Sequence, residues 1–186
     1  MSTKTKKPPA EIDLISAFVN TMEKNTSRPD EEWLDSPDAL RRWMEAHGIP
    51  PGNDLGADDV TRAIGFREAV RLLLAANNGV RLETAALDAL RGAAGAGLIR
   101  VDIHADGRAV PQPAGSGVEA LFARILAAVA DAQAAGTWDR LKACGADDCQ
   151  WAFYDSSRNR SRTWCSMEVC GNRAKTRAYR ARLSGT

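Results

Sequence analysis

Four cysteines fall within 27 consecutive residues, as Cys144-x4-Cys149-x15-Cys165-x4-Cys170, and the 143 residues before them contain none. A zinc ion takes about four thiolate or imidazole ligands in a tetrahedron, and two short cysteine pairs joined by a hairpin-length spacer can converge on one ion. Two disulfides, or four ordinary buried thiols, are the competing readings. Disulfides belong to oxidising compartments, whereas Met1 to Pro9 is polar and lysine-bearing, with no apolar stretch behind it of the kind a signal peptide has. Buried thiols have no reason to segregate into pairs. The spacing therefore predicts one structural zinc (Zn2+) per chain on Cys144, Cys149, Cys165 and Cys170. Four sulfurs would close the coordination shell, exclude catalytic water and staple a segment too small to fold alone.

The same stretch is strongly basic. Residues 140 to 186 carry ten Lys or Arg against four Asp or Glu, so the chain's net charge of +1 divides into a +6 tail and a -5 remainder. A basic binding module on an acidic body is the natural reading. After Cys170-Gly171-Asn172 a final helix is expected, on which Arg173, Arg177 and Arg180 recur at i, i+4 and i+7, flanked by Lys175 and Arg182. Arg158, Arg160 and Arg162 alternate, and on an extended segment they would point one way. Arginine pairs bidentately with phosphate or with a guanine edge, and a helix fits the DNA major groove. These eight cations and Asn172 are the expected nucleic-acid contacts, mostly to phosphate, with Arg173 and Arg177 as base readers. A solvated face, or a surface held by the acidic body, is the plainer alternative. Trp151, Phe153 and Trp164 could stack on bases, but a small finger needs them as its miniature core.

The run Cys165-Ser-Met-Glu-Val-Cys170-Gly171-Asn172-Arg173-Ala-Lys175 resembles the CGNR zinc-finger family, named for the Cys-Gly-Asn-Arg at 170 to 173. The likeness extends to Asp147-Asp148-Cys149, Trp151-Ala-Phe153-Tyr154-Asp155, Ser157-Arg158-Asn159-Arg160 and Trp164. In that family the finger commonly follows an N-terminal domain called ABATE, and Phe18-Val19-Asn20-Thr21 is similar to that domain's usual opening. The resemblance is close over residues 141 to 182 and loose over 10 to 135, and it implies a bacterial stress-responsive transcription regulator.

The elements that would carry these residues are mainly helical. Ile12, Ile15, Phe18, Val19 and Met22 predict a helix over 10 to 23. Ser36-Pro37 reads as a helix start, with Leu40, Trp43 and Met44 on one face and Gly48 closing it. Asp58 is the expected cap of a long helix ending at Asn77-Asn78-Gly79, and Thr84 to Ala94 gives a shorter one. Ile99, Val101 and Ile103 alternate with polar residues before an Asp106-Gly107 turn and a return strand. Ser116 and Glu119 have capping-box spacing at the start of a last body helix that ends near Gly136. Between Cys149 and Cys165 the aromatic segment and polar turn suit a β-hairpin. The expected fold class is α+β: a disordered tail over 1–9, a mainly helical domain with a small antiparallel sheet over 10–136, and a zinc-ribbon or treble-clef-like finger over 137–186 ending in a basic helix.

An apolar fraction of 44% and a charged fraction of 26% are those of an ordinary globular protein, and no apolar run approaches the ~20 residues of a membrane helix. A cytoplasmic location is expected. His47 and His104, the only histidines, lie far apart without carboxylate neighbours at ligand spacing, and Glu31-Glu32 and Asp58-Asp59 read as helix-start acids. No phosphate loop, dinucleotide fingerprint or nucleophile elbow is present, so no enzyme is expected. If the first domain senses a small molecule, Asn20, Thr21, Trp43 and Arg67 are the groups to line its pocket. The reading is a DNA-binding regulator, with a homodimer suiting symmetric sites. The alternatives are a protein- or RNA-interaction finger, or an enzyme with a structural zinc cap.

Overall fold

The structure, a computed structural model, describes residues 8–24 and 30–184. Lys4, Lys6, Lys7 and most of the expected tail lie outside them. Helix α1 (Ala10–Val19) buries Ile12, Leu14, Ile15, Phe18 and Val19, with Glu11 and Asp13 in the first turn, where the helix dipole favours acids. It stops earlier than its periodicity suggested. Thr21 Oγ1 donates to Phe18 O at 2.8 Å, and the chain turns into β1 (Met22–Glu23), antiparallel to β2 (Glu31–Glu32). Glu31 and Glu32 thus belong to a strand rather than to a helix start.

Helix α2 (Pro37–Ala46) begins as expected, Ser36 Oγ accepting from Ala39 N at 3.2 Å. Helix α3 (Ala57–Ala76) is capped differently: Asp58 is already helical, and Gly56 N donates to Asp59 Oδ2 at 3.0 Å. After α4 (Thr84–Ala96), β3 (Leu98–Ile103) and β4 (Ala109–Ala114) form the expected hairpin around Gly107, whose φ of 82° suits the tight turn. Its alternation, however, does not mark a buried face. Ile99, Val101 and Ile103 are 51%, 60% and 70% exposed, because the hairpin leans on α5 (Gly117–Ala134) chiefly through β4. The expected capping box of α5 is absent: the Ser116 side chain makes no cap bond, and Glu119 pairs with Arg62 at 2.7 Å.

A core of Ile12, Phe18, Phe66, Val70, Leu121 and Ile125 joins α1, α3 and α5. The same core continues into Leu141, Ala143 and Ala152. These belong to β5 (Leu141–Ala143) and β6 (Ala152–Tyr154), which pair antiparallel. The hairpin expected inside the long cysteine spacer is therefore formed with a strand before Cys144, and the first cysteine pair sits at its turn. Past β6 the spacer runs as a loop gathered by Asp155, which accepts from Ser157 N and Arg162 N, both at 2.9 Å. A π-helical turn (Met167–Gly171) then leads into α6 (Asn172–Ser184).

Candidate metal centre and basic interface

The hairpin delivers the first two cysteines. Cys144 N donates to Trp151 O and Cys149 N to Ala146 O, both at 2.9 Å, while Gln150 takes a left-handed φ of 53° to close the knuckle. The π-helical turn delivers the other two: Ser166 Oγ accepts from Val169 N at 3.3 Å and Ser166 O from Gly171 N at 3.1 Å. All four sulfurs then lie within 4.8 Å of one another, with Cys149–Cys165 at 3.6 Å and Cys165–Cys170 at 3.7 Å. Sulfurs about 2.3 Å from a tetrahedral zinc would stand roughly 3.8 Å apart. The donor set and spacing fit one structural zinc.

The electrostatics agree. Three of the thiols act strongly on one another: hydrogen bonds from Cys149 and Cys165 pull Cys144 down to about 2. The bond to Cys144 pushes Cys149 up to about 12 and moves Cys165 upward as well. A dication removes that conflict, since a coordinating thiol is deprotonated outright. Phe153, Ala146 and Trp164 pack against the cluster as its small core, so two of the three aromatics serve folding. Gly171 is needed here for close approach. A Cβ on it would run into Met167 and lie 3.1 Å from Trp164 Cδ1.

The arginines divide by role. Arg173 Nη2 donates to Cys170 Sγ at 3.4 Å and pairs with Asp148 at 3.4 Å, which sets it beside the metal cluster. Arg177 also pairs with Asp148. Burial would raise the Asp148 carboxyl, but the Arg177 bond and the charges of both arginines hold it below its ordinary value. Asn172 Nδ2 donates to Glu168 O at 3.0 Å, within its own turn. Lys175, Arg180 and Arg182 lie exposed along α6. Arg158, Arg160 and Arg162 do not form an extended row, because Arg160 has a φ of 51° and the loop turns there. Arg162 Nη2 donates to Cys165 O at 2.6 Å with its guanidinium 5.2 Å from the Phe153 ring, and Arg160 lies 3.5 Å from Asp139. Arg140 and Lys142, counted in the basic surplus, point inward. Arg140 Nη1 donates to Asp155 O and Ser157 O, and Lys142 Nζ to Asp155 Oδ2 at 3.0 Å.

Two family models match the sequence of this chain. The CGNR zinc finger model covers residues 140–183. The ABATE model, described as a putative stress-induced transcription regulator, covers residues 13–137, well over half of the chain. The chain belongs to the ABATE family. No curated protein matches it.

The ABATE body holds the finger through polar side chains that sequence reading had given other roles. Asn20 Nδ2 donates to Ala152 O at 3.0 Å and its Oδ1 accepts from Ala152 N at 2.7 Å. Thr21 Oγ1 accepts from Arg67, whose guanidinium also makes a bidentate pair with Glu32 at 2.6 and 2.7 Å. Trp43 stacks on His47 with ring centroids 4.0 Å apart. These four expected pocket residues are thus bonded or packed within the protein, and a cavity of about 600 Å³ lies elsewhere, between Lys24, Trp151 and Arg173. Arg71, Asn77 and Asn78 were missed. Arg71 donates to Val19 O and Gln150 O, Asn77 to Trp138 O and Leu141 O, and Asn78 to Ala143 O and Thr163 O, all at 2.7–3.0 Å. Among the described residues of this ABATE chain, no helix is long and apolar enough to cross a membrane.

Proposed function

We propose that this ABATE chain is a bacterial transcription regulator that holds duplex DNA with its zinc-stapled finger. The observation that carries the reading is α6. Its 13 residues hold Arg173, Lys175, Arg177, Arg180 and Arg182 and no acid, and most of its residues lie exposed. Such a helix contributes little to the core, so its composition answers to something outside the chain. Lys175, Arg180 and Arg182, with Arg158 from the preceding loop, serve phosphates; Arg177 joins them when Asp148 releases it. Arg173 supports the metal cluster rather than reading bases. The body carries signals to the finger through Asn20, Arg71, Asn77 and Asn78, the route a small ligand would use.

The test is binding of zinc-quantified protein to random duplex DNA across a salt series. The slope of log K against log salt changes by about 0.9 per phosphate contact. A Lys175/Arg180/Arg182 triple alanine chain should flatten it by roughly two to three. Asp148→Asn, which frees Arg177, should steepen it by about 0.9 and tighten binding at low salt. Absence of duplex binding at low salt, with one zinc per chain, would overturn the reading in favour of an RNA or protein partner.

A further inference from the structure

The β3–β4 hairpin has two unlike edges. His104 N donates to Arg108 O at 2.9 Å, which continues the ladder in which Leu98 pairs with Ala114 and Ile103 with Ala109. Antiparallel ladders alternate, so Leu98, Arg100 and Asp102 turn their backbone groups toward β4, and Ile99, Val101 and Ile103 turn theirs outward. On β4, Pro113 and Pro111 stand opposite Ile99 and Val101. Their missing N–H groups fall on the outer side of β4, where they block addition of another strand. The outer side of β3 has no such block. The sheet has two strands, and the side chains of Leu98, Ile99, Val101 and Ile103 are exposed. An open apolar edge of this kind pairs with another strand unless it is protected.

We infer that β3 is the contact edge of a two-fold homodimer, in which β3 pairs antiparallel with β3 of a second copy about Val101. The sequence Ile99-Arg100-Val101-Asp102-Ile103 is self-complementary in that register. Val101 faces its own copy, Ile99 faces Ile103 of the second chain, and Arg100 faces Asp102. Sliding the partner by two residues in one direction sets Arg100 against Arg100; in the other it sets Asp102 against Asp102. Like charges directly opposite are unfavourable, so charge selects the centred register. Backbone direction excludes the one-residue slips, because only registers that make the outward-facing residues Ile99, Val101 and Ile103 the hydrogen-bonded pairs can form. In the single chain Arg100 and Asp102 lie 3.2 Å apart with their side chains 67% and 43% exposed, so both can be reached by a partner. The prolines of β4 end the resulting four-stranded sheet on both sides, which makes the assembly a dimer and not a fibre. This interface is independent of the DNA-binding reading.

The experiment is sedimentation equilibrium of the full zinc-loaded chain without DNA. A short edge contact belongs to the small interface class, so dimer should predominate at about 100 µM and dissociate near 1 µM. Val101→Pro removes only an outward N–H, leaves the bonds to β4 in place, and should give a folded monomer by circular dichroism. Arg100→Asp and Asp102→Arg should each be monomeric alone, since each sets like charges opposite in both symmetric pairs. Mixed one to one, they should recover the dimer as a heterodimer. A wild-type chain that stays monomeric at about 100 µM, a Val101→Pro chain as dimeric as wild type, or a mixture that fails to re-associate would each overturn the proposal.

Discussion

Asp155 shows how a single residue can be misjudged by counting charge. It lies wholly buried, accepting from Lys142, from Ser157 N and from Arg162 N, while its own N–H donates to Arg140 O. Burial alone would raise its carboxyl; the hydrogen bonds from Ser157, Lys142 and the Arg162 backbone outweigh that and hold it at about 2. The folded value lies below the unfolded value of about 3.9, so its stabilisation is present above about 4 and is lost as the pH falls toward 2. Asp155→Asn removes the counter-charge of the buried Lys142 ammonium, which keeps only its bonds to the Arg160 and Arg162 carbonyls, and this costs about 3–5 kcal/mol. In urea unfolding the gap between wild type and variant should stay constant from about pH 6 to 8 and close between about pH 4 and 2. A gap that changes between pH 6 and 8 would assign the effect to another group. Two of the tail's ten cations, Arg140 and Lys142, therefore serve the fold, a distinction that needs tertiary partners to see.

At the scale of elements, local chemistry was legible where it is self-contained. The Ser36 cap, the Asp106-Gly107 turn, the cysteine pairs and the final basic helix are all settled by neighbours in sequence. Elements fixed by distant partners were not. β5 is three residues long and has no pattern of its own; it becomes a strand only by pairing with β6. Asn77 and Asn78 read as a helix stop, which they are, but their side chains reach the finger's backbone from the end of α3. Asn78→Ala should leave α3 intact while the Ala143 carbonyl loses this donor and the Thr163 carbonyl keeps only Gly145 N–H. An unsatisfied buried acceptor costs about 1–3 kcal/mol. The urea midpoint of zinc-saturated Asn78→Ala should fall accordingly, with the slope unchanged. A midpoint equal to wild type would show that the body and finger are not joined there.

At the scale of the whole molecule, the body and the finger share one hairpin for a geometric reason. Successive residues of a strand face opposite ways, and β6 uses that directly: Ala152 enters the body core while Phe153 packs on the metal cluster. One hairpin is thus shared by both cores, and the charge asymmetry along the sequence does not mark a boundary in packing. A finger that folded separately would unfold in its own transition, leaving the body's melting temperature untouched when zinc is removed. The shared hairpin predicts a single calorimetric transition for the zinc-loaded chain, which moves to lower temperature after chelation. Each kcal/mol lost should shift it by about 2–4 °C for a chain of this size. It should return as free zinc is raised, because an ion bound to the folded state alone stabilises by mass action. Two transitions, only one of them sensitive to zinc, would mean that the hairpin does not couple the two cores.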